Sequence, residues 1–459
     1  MIKRKSAAGP AQLILPHSIA TQRATRRAIL RGCGGMLVSA CLGAPAFPRR
    51  LGRRPEKPTA SPISGASIYQ DLITYYNLGD HRTATKGDLR TSDWIAAELR
   101  KAGLAVGFES FLVSQFFVSK TDLLIDNRVI ASFPLWPPRS TGPNPLEAPL
   151  TVFQHDHSRG VAGSVAVVTF PFDPRASLLP VHCDTIEAAA RAGARAVIAI
   201  TQGPTGEIIA MNTPPDQRPW PVPVLLAPGR NQREILDAAS RGAPATFLLD
   251  GRSDPATARN VVGTARTGKR TIVVSTPQSG WFRCAGERGP GIALFLGLAR
   301  WANKHLPDAG LVFVSTSGHE IGQIGMARFL REKAPSPGGA GVWVHLGAGI
   351  ATWKWQQSES GIRKLHEVDD NRLLMCSREL EPLLSPVFAE LPGLTPHTDR
   401  AVGEMQLLLD NKYRAFAIAA AHRYHHTPAD NPETTAPELL EPVAEALVNA
   451  LLAIQDRDS

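Results

Sequence analysis

From Asn260 onward the chain alternates short, β-branched apolar runs with amphipathic segments at helical spacing, and few folds accommodate that alternation. Residues 271–275, 311–316, 342–346 and 415–420 read as strands, and residues 291–304, 324–332 and 438–455 as helices. The last helix carries Leu440, Val443, Leu447, Leu451 and Ile454 as one apolar stripe. Strands separated by helices predict an α/β fold, a mainly parallel sheet flanked by helices on both faces. In such sheets the chemistry sits beyond the carboxyl ends of the strands.

Upstream, residues 88–102 place Leu89, Ser92, Ile95, Ala96 and Leu99 on one helical face and stop at Gly103. A second, smaller α/β pattern follows: a buried strand over 164–170, a helix over 184–192, a strand over 196–200 and an apolar run over 222–226. Pro-rich stretches at 137–149 and 252–260 read as its boundaries. No internal repeat is present.

The formal charge of +9 suggests a nucleic-acid surface until it is located. Residues 1–46 hold seven Lys or Arg and no acidic residue, and residues 47–57 hold five against the single Glu56, so the remainder carries a small net negative charge. The basicity belongs to a leader and a Pro/Arg-rich linker over 47–66, and no nucleic-acid partner is expected. Thr25-Arg26-Arg27-Ala28-Ile29-Leu30-Arg31, with the weakly apolar run to Ala46, resembles a twin-arginine export signal. That run is too short to span a bilayer, and no other stretch is long enough, so no transmembrane helix is expected. Ala44-Pro45-Ala46 fits small-residue cleavage, while Val38-Ser39-Ala40-Cys41 resembles a lipobox that would make Cys41 a lipid anchor. Both leave a periplasmic or extracellular protein. Beyond the leader only Cys183, Cys284 and Cys376 remain, with no CxxC pair, which excludes a zinc ribbon and allows at most one disulfide.

A serine-nucleophile elbow G-x-S-x-G is missing, and His319-Glu320-Ile321-Gly322-Gln323 lacks the second histidine of H-E-x-x-H. The polar residues left at expected strand ends are Glu287, His319-Glu320, His345 and His425-His426. In order and spacing they resemble the co-catalytic zinc aminopeptidase family, which also contains the glutaminyl cyclases and glutamate carboxypeptidases. The resemblance covers roughly residues 67–459. His81-Arg82-Thr83 through Gly103 is similar to the family's opening helix, and residues 119–255 to its inserted protease-associated domain, leaving 67–118 and 256–459 as the aminopeptidase-like domain. Cys284-Ala285-Gly286-Glu287-Arg288-Gly289-Pro290-Gly291 stands where the family has D-N-x-S-G, Gly318-His319-Glu320-Ile321-Gly322 where it has G-E-E-x-G, and His426-Thr427-Pro428-Ala429-Asp430 matches H-T-P-x-D.

The resemblance implies two zincs on five ligands, of which this sequence keeps three. The first histidine falls at Pro277 and an aspartate near Gly347; both are lost. Glu287, Glu320 and His426 remain, a carboxylate, carboxylate, histidine set that suits one catalytic zinc per chain with a position left for water. The family's general base is replaced by His319, whose imidazole can still accept a proton. His345, His425 and Arg288 are candidates for an additional ligand or for supporting it. Plainer readings stand beside these: Glu287-Arg288 as a cleft ion pair, His319 as a strand-end histidine bonded to backbone, His345 as a core histidine. His182-Cys183 and His155 and His157 read as surface, and Trp281 as bordering the cleft. The function expected is an exported zinc-dependent hydrolase cleaving an amide bond in a peptide or small amino-acid conjugate. A catalytically inactive pseudopeptidase and a glutaminyl cyclase-like acyltransferase are the alternatives.

Overall fold

A computed structural model describes residues 63–154, 160–266, 270–358 and 361–458. The leader, Cys41, most of the linker, His155 and His157 lie outside the described residues.

The expected α/β body is present. Its parallel core runs Ala415–Ala420, Ala340–Leu346, Thr271–Pro277, Gly310–Thr316, each strand hydrogen-bonded to the next. Arg372–Cys376 closes one side antiparallel to Ala415–Ala420, and the end of Pro244–Ala265 closes the other antiparallel to Gly310–Thr316. Val273, Val344, Phe313 and Ile418 are fully buried, as both-face coverage requires. One face packs against Gly65–Asn77, Lys86–Lys101, Gly289–His305 and Pro437–Asp458, and the other against Ile324–Glu332 and Glu404–Asp410. The helix Gly289–His305 is buried on almost every side, which explains why its sequence is apolar all round and not striped.

One expectation needs correction. Residues 252–260, read as a Pro-rich boundary, lie inside a 22-residue strand, Pro244–Ala265, which pairs antiparallel along its length with the 21-residue strand Ala105–Ile125. The ribbon tolerates Pro255 because this stretch pairs on one side only: Pro244–Phe247 also meets Leu146–Pro149, Leu249 meets Thr141, and Val261–Ala265 meets Leu311–Ser315, but no second strand pairs with the residues around Pro255 among the described residues. The two strands run through the expected borders of the insertion, with a register irregularity between Val118 and Lys120. Beyond the ribbon a lobe forms on the parallel strands Leu146–Val152, Val165–Phe170, Ala196–Thr201 and Val224–Pro228. It has a core of its own that includes Val168, Ile186, Val197, Trp220 and Leu226. His182 is also corrected: it is buried, stacks on Phe170 at 4.2 Å, and its Nδ1 accepts the Leu179 N–H at the start of the helix Pro180–Arg191.

Cys183, Cys284 and Cys376 are free thiols. Among the described residues no helix is long and apolar enough to cross a membrane.

Candidate active site

Every candidate polar residue sits at the carboxyl edge of the parallel strands. The loop after Thr271–Pro277 carries Glu287 and Arg288, the turn after Gly310–Thr316 carries His319 and Glu320, Ala340–Leu346 carries His345 near its end, and the loop after Ala415–Ala420 carries His425 and His426. Two of these loops are stitched together by the H-T-P-A-D segment: Asp430 accepts the N–H groups of Gly286 and Glu287 at 2.8 and 2.9 Å. Gly286 is required there, since a Cβ would lie 2.4 Å from Thr434 Oγ1 and 3.0 Å from Asp430.

Glu287 and His426 meet as expected, with Glu287 Oε1 3.2 Å from His426 Nε2. The third partner differs. Glu287, His425 and His426 bring potential ligand atoms within 4.8 Å of one another, and the two imidazoles stack with centroids 4.1 Å apart. Glu320, expected in that place, is engaged elsewhere: Oε2 accepts from Ser279 at 2.7 Å and Thr83 at 3.3 Å, and Oε1 from Arg288 at 3.2 Å. Arg288 also lies 3.1 Å from Glu287 and donates through Nε to the Ser279 carbonyl. All three side chains of this Glu–Arg–Glu cluster are at most 1% exposed. The ion pair read as the plain alternative for Glu287-Arg288 is therefore present.

Burial alone would raise the Glu287 carboxyl, but His426, Arg288 and His425 outweigh it and hold it well below the usual carboxylate range. Glu287 is thus anionic, yet neither of its oxygens makes a hydrogen bond, and His426 Nε2 and His425 Nδ1 are likewise buried without one. Convergent unsatisfied acceptors are costly unless a cation joins them. His426 Nδ1 is 2.9 Å from the Ala210 carbonyl, so it carries a hydrogen and Nε2 is the ring nitrogen that faces Glu287. That is the tautomer and outer support a metal-ligating histidine takes. The donor set therefore fits a divalent ion of the zinc type.

His319 lies apart from this group. Its Nδ1 is 3.1 Å from Glu404 Oε1, and burial, with Arg288 adding, lowers the imidazole to about 3, so it is neutral near pH 7. Glu404 Oε2 lies 3.8 Å from His345 Nδ1. His345 is the bonded core histidine of the plainer reading: Ser275 Oγ accepts from Trp343 and forms a 2.9 Å hydrogen bond with His345 Nδ1. His319, His345, His425, Arg288 and Glu404 line one cavity of about 410 Å³. Trp281, expected to border it, is instead buried against Phe133 and Trp136.

The lobe supplies part of this site. Ala210 N–H donates to the His426 carbonyl beyond the ring contact, Thr213 N–H donates to the Glu320 carbonyl, and Asn212 accepts from Trp281 and lines the cavity. Glu404, Ala210 and Asn212 carry no motif that sequence reasoning could have found; each arrives from a remote segment through the fold.

No family model matches the chain, and no curated protein matches it. Among solved structures it is similar to a zinc aminopeptidase from Bacillus subtilis, with a TM-score of 0.67 and 16% identity over 86% of this chain and 95% of that one. A peptidase M28 precursor from Shewanella amazonensis gives a TM-score of 0.66 at 14% identity, over 85% and 93%. An aminopeptidase from Aneurinibacillus sp. strain AM-1 gives 0.58 at 15%, over 84% and 93%. The chain has the fold of the co-catalytic zinc aminopeptidases.

Proposed function

We propose that the cleft is a single-zinc hydrolase site for an amide bond in a peptide or small amino-acid conjugate. One observation carries this reading: the unbonded Glu287 oxygens facing His426 Nε2, whose tautomer the Ala210 carbonyl fixes. Glu287, His425 and His426 would hold the ion, which in such a site supplies Lewis acidity toward a carbonyl and a water. With Glu404 ionised, His319 keeps its hydrogen on Nδ1 and offers Nε2 as proton acceptor, and the carboxylate supports the imidazolium that results. Arg288 and His345 line the same cavity, but both are engaged with protein partners.

His319→Ala is expected to leave zinc content unchanged while lowering the rate on aminoacyl amides by roughly 10² to 10⁴, the usual size of a general-base contribution. Elemental analysis of the zinc-loaded protein and steady-state kinetics check both halves. Full activity in the variant would remove His319 from the reaction.

The second reading is a binding protein without metal. It is favoured by Arg288, a cation already lodged between Glu287 and Glu320. No metal after zinc loading would select it.

The lobe around Val165–Pro228 is proposed to be a protease-associated-type insertion, supported by its separate core, and the leader a twin-arginine export signal. Exchanging Arg26 and Arg27 for Lys is expected to retain the protein in the cytoplasm, read by cell fractionation. Unchanged export would exclude this route.

A further inference from the structure

The two acidic residues that line up with metal ligands are not equivalent in this chain. Both oxygens of Glu320 are taken by Ser279, Thr83 and Arg288, whereas Glu287 has only the edge of the Arg288 guanidinium and the two histidines before it. Arg288 cannot easily leave. Its backbone opens the helix Gly289–His305, its Nε is bonded to the Ser279 carbonyl, and its side chain is among the largest that are fully buried. A guanidinium is permanently charged, planar and able to serve two carboxylates at once. Here its Nη2 stands 3.1 Å from one and 3.2 Å from the other.

We infer that Arg288 is a built-in cation that takes the place of a second metal ion, completing with Ser279 and Thr83 the partners of Glu320 and pairing Glu287 in part, so that the site has charge and ligands for one divalent ion. The same geometry makes Arg288 a competitor of that ion. Two cations beside one buried carboxylate repel each other, and the repulsion is stronger in a buried site than in water. Arg288 thus sets both the number of ions and how tightly the remaining one is held. The inference rests on the proposed metal site for the ion it counts, but hydrolysis plays no part in it.

The test is zinc titration of the chelator-stripped full protein, with stoichiometry from elemental analysis and affinity from calorimetry. Wild type is expected to bind one zinc, Arg288→Gln to bind zinc at least tenfold more tightly, and Arg288→Lys, which keeps a charge, to stay close to wild type. Two zincs in wild type would overturn the inference, as would equal or weaker binding in Arg288→Gln or no binding in either protein. Zinc bound by Arg288→Gln but not by wild type would uphold it while defeating the single-zinc reading of the native chain. Should Arg288→Gln unfold without metal, refolding with zinc decides. A restored cooperative thermal transition supports the inference, and failure to restore it overturns it.

Discussion

Glu320→Ala is expected to cost about 3 to 5 kcal/mol of stability, and Glu287→Gln less, although both are buried carboxylates beside the same arginine. The asymmetry follows from their partners. Alanine at 320 strands the Ser279 and Thr83 hydroxyls and removes a hydrogen bond to the guanidinium, leaving buried polar groups without their acceptor. Glu287 oxygens accept no hydrogen bond, and Glu320 remains to pair with Arg288 when Glu287 becomes neutral. For metal binding the order reverses: Glu287→Gln should lose zinc, whereas Glu320→Ala should retain it in whatever fraction still folds. Urea denaturation in chelator, paired with zinc analysis, separates the two. Loss of zinc from Glu320→Ala at intact fold would return Glu320 to the ligand set that the motif alignment implies.

What the sequence made legible was local. The strands and helices of the body follow from hydrophobic period, and the residues at strand ends follow from the rule that places chemistry there, so Glu287, His319, Glu320 and His426 were all found on one edge. The long ribbon was hidden because its free edge admits Pro255 and polar residues that ordinarily signal a loop. The hidden part of the site was the pairing. Motif alignment placed Glu320 beside the metal, but the residue after Glu287 is an arginine, and its reach back to Glu320 depends on three-dimensional packing. The His425 ring lies beside the Glu287–His426 pair, stacked on His426, whose backbone is left-handed with φ 56°. Glu404 comes from the helix Glu404–Asp410 on the far side of the sheet, and the Ala210 carbonyl from the lobe. Neither has a spacing relation to the motifs.

Metal-free protein is expected to lose stability steeply as the pH falls from about 6.5 toward 4.5, by roughly 4 kcal/mol per pH unit at the steepest point. Four imidazoles drive this, His81 and His345 buried and His319 and His425 half-buried along the cavity. Burial lowers His81 and His319 to about 3 and His345 to about 4, and holds His425 well below its ordinary value. Each stays neutral in the folded chain while its unfolded counterpart takes up a proton near pH 6.5, so the unfolded state binds more protons through this window and acid favours it. Asp88 works in the opposite sense. Burial raises its carboxyl to about 6, so the folded state gains a proton there before the unfolded state does, offsetting about one of the four. Glu404, raised in the same direction by burial, softens the lower end of the window. His81 is the clearest single contributor. Thr91 Oγ1 donates to the Gly87 carbonyl and so accepts from His81 Nδ1 at 2.8 Å, which leaves Nε2 buried with no partner for an added proton. His81→Asn, which keeps a donor near Nδ1, should therefore flatten the slope by about 1.4 kcal/mol per pH unit. Thermal melts between pH 7.5 and 4.5 in chelator measure both slopes. A melting temperature that holds constant across that range in the wild-type protein would mean that these histidines protonate in place and that the cluster opens to solvent.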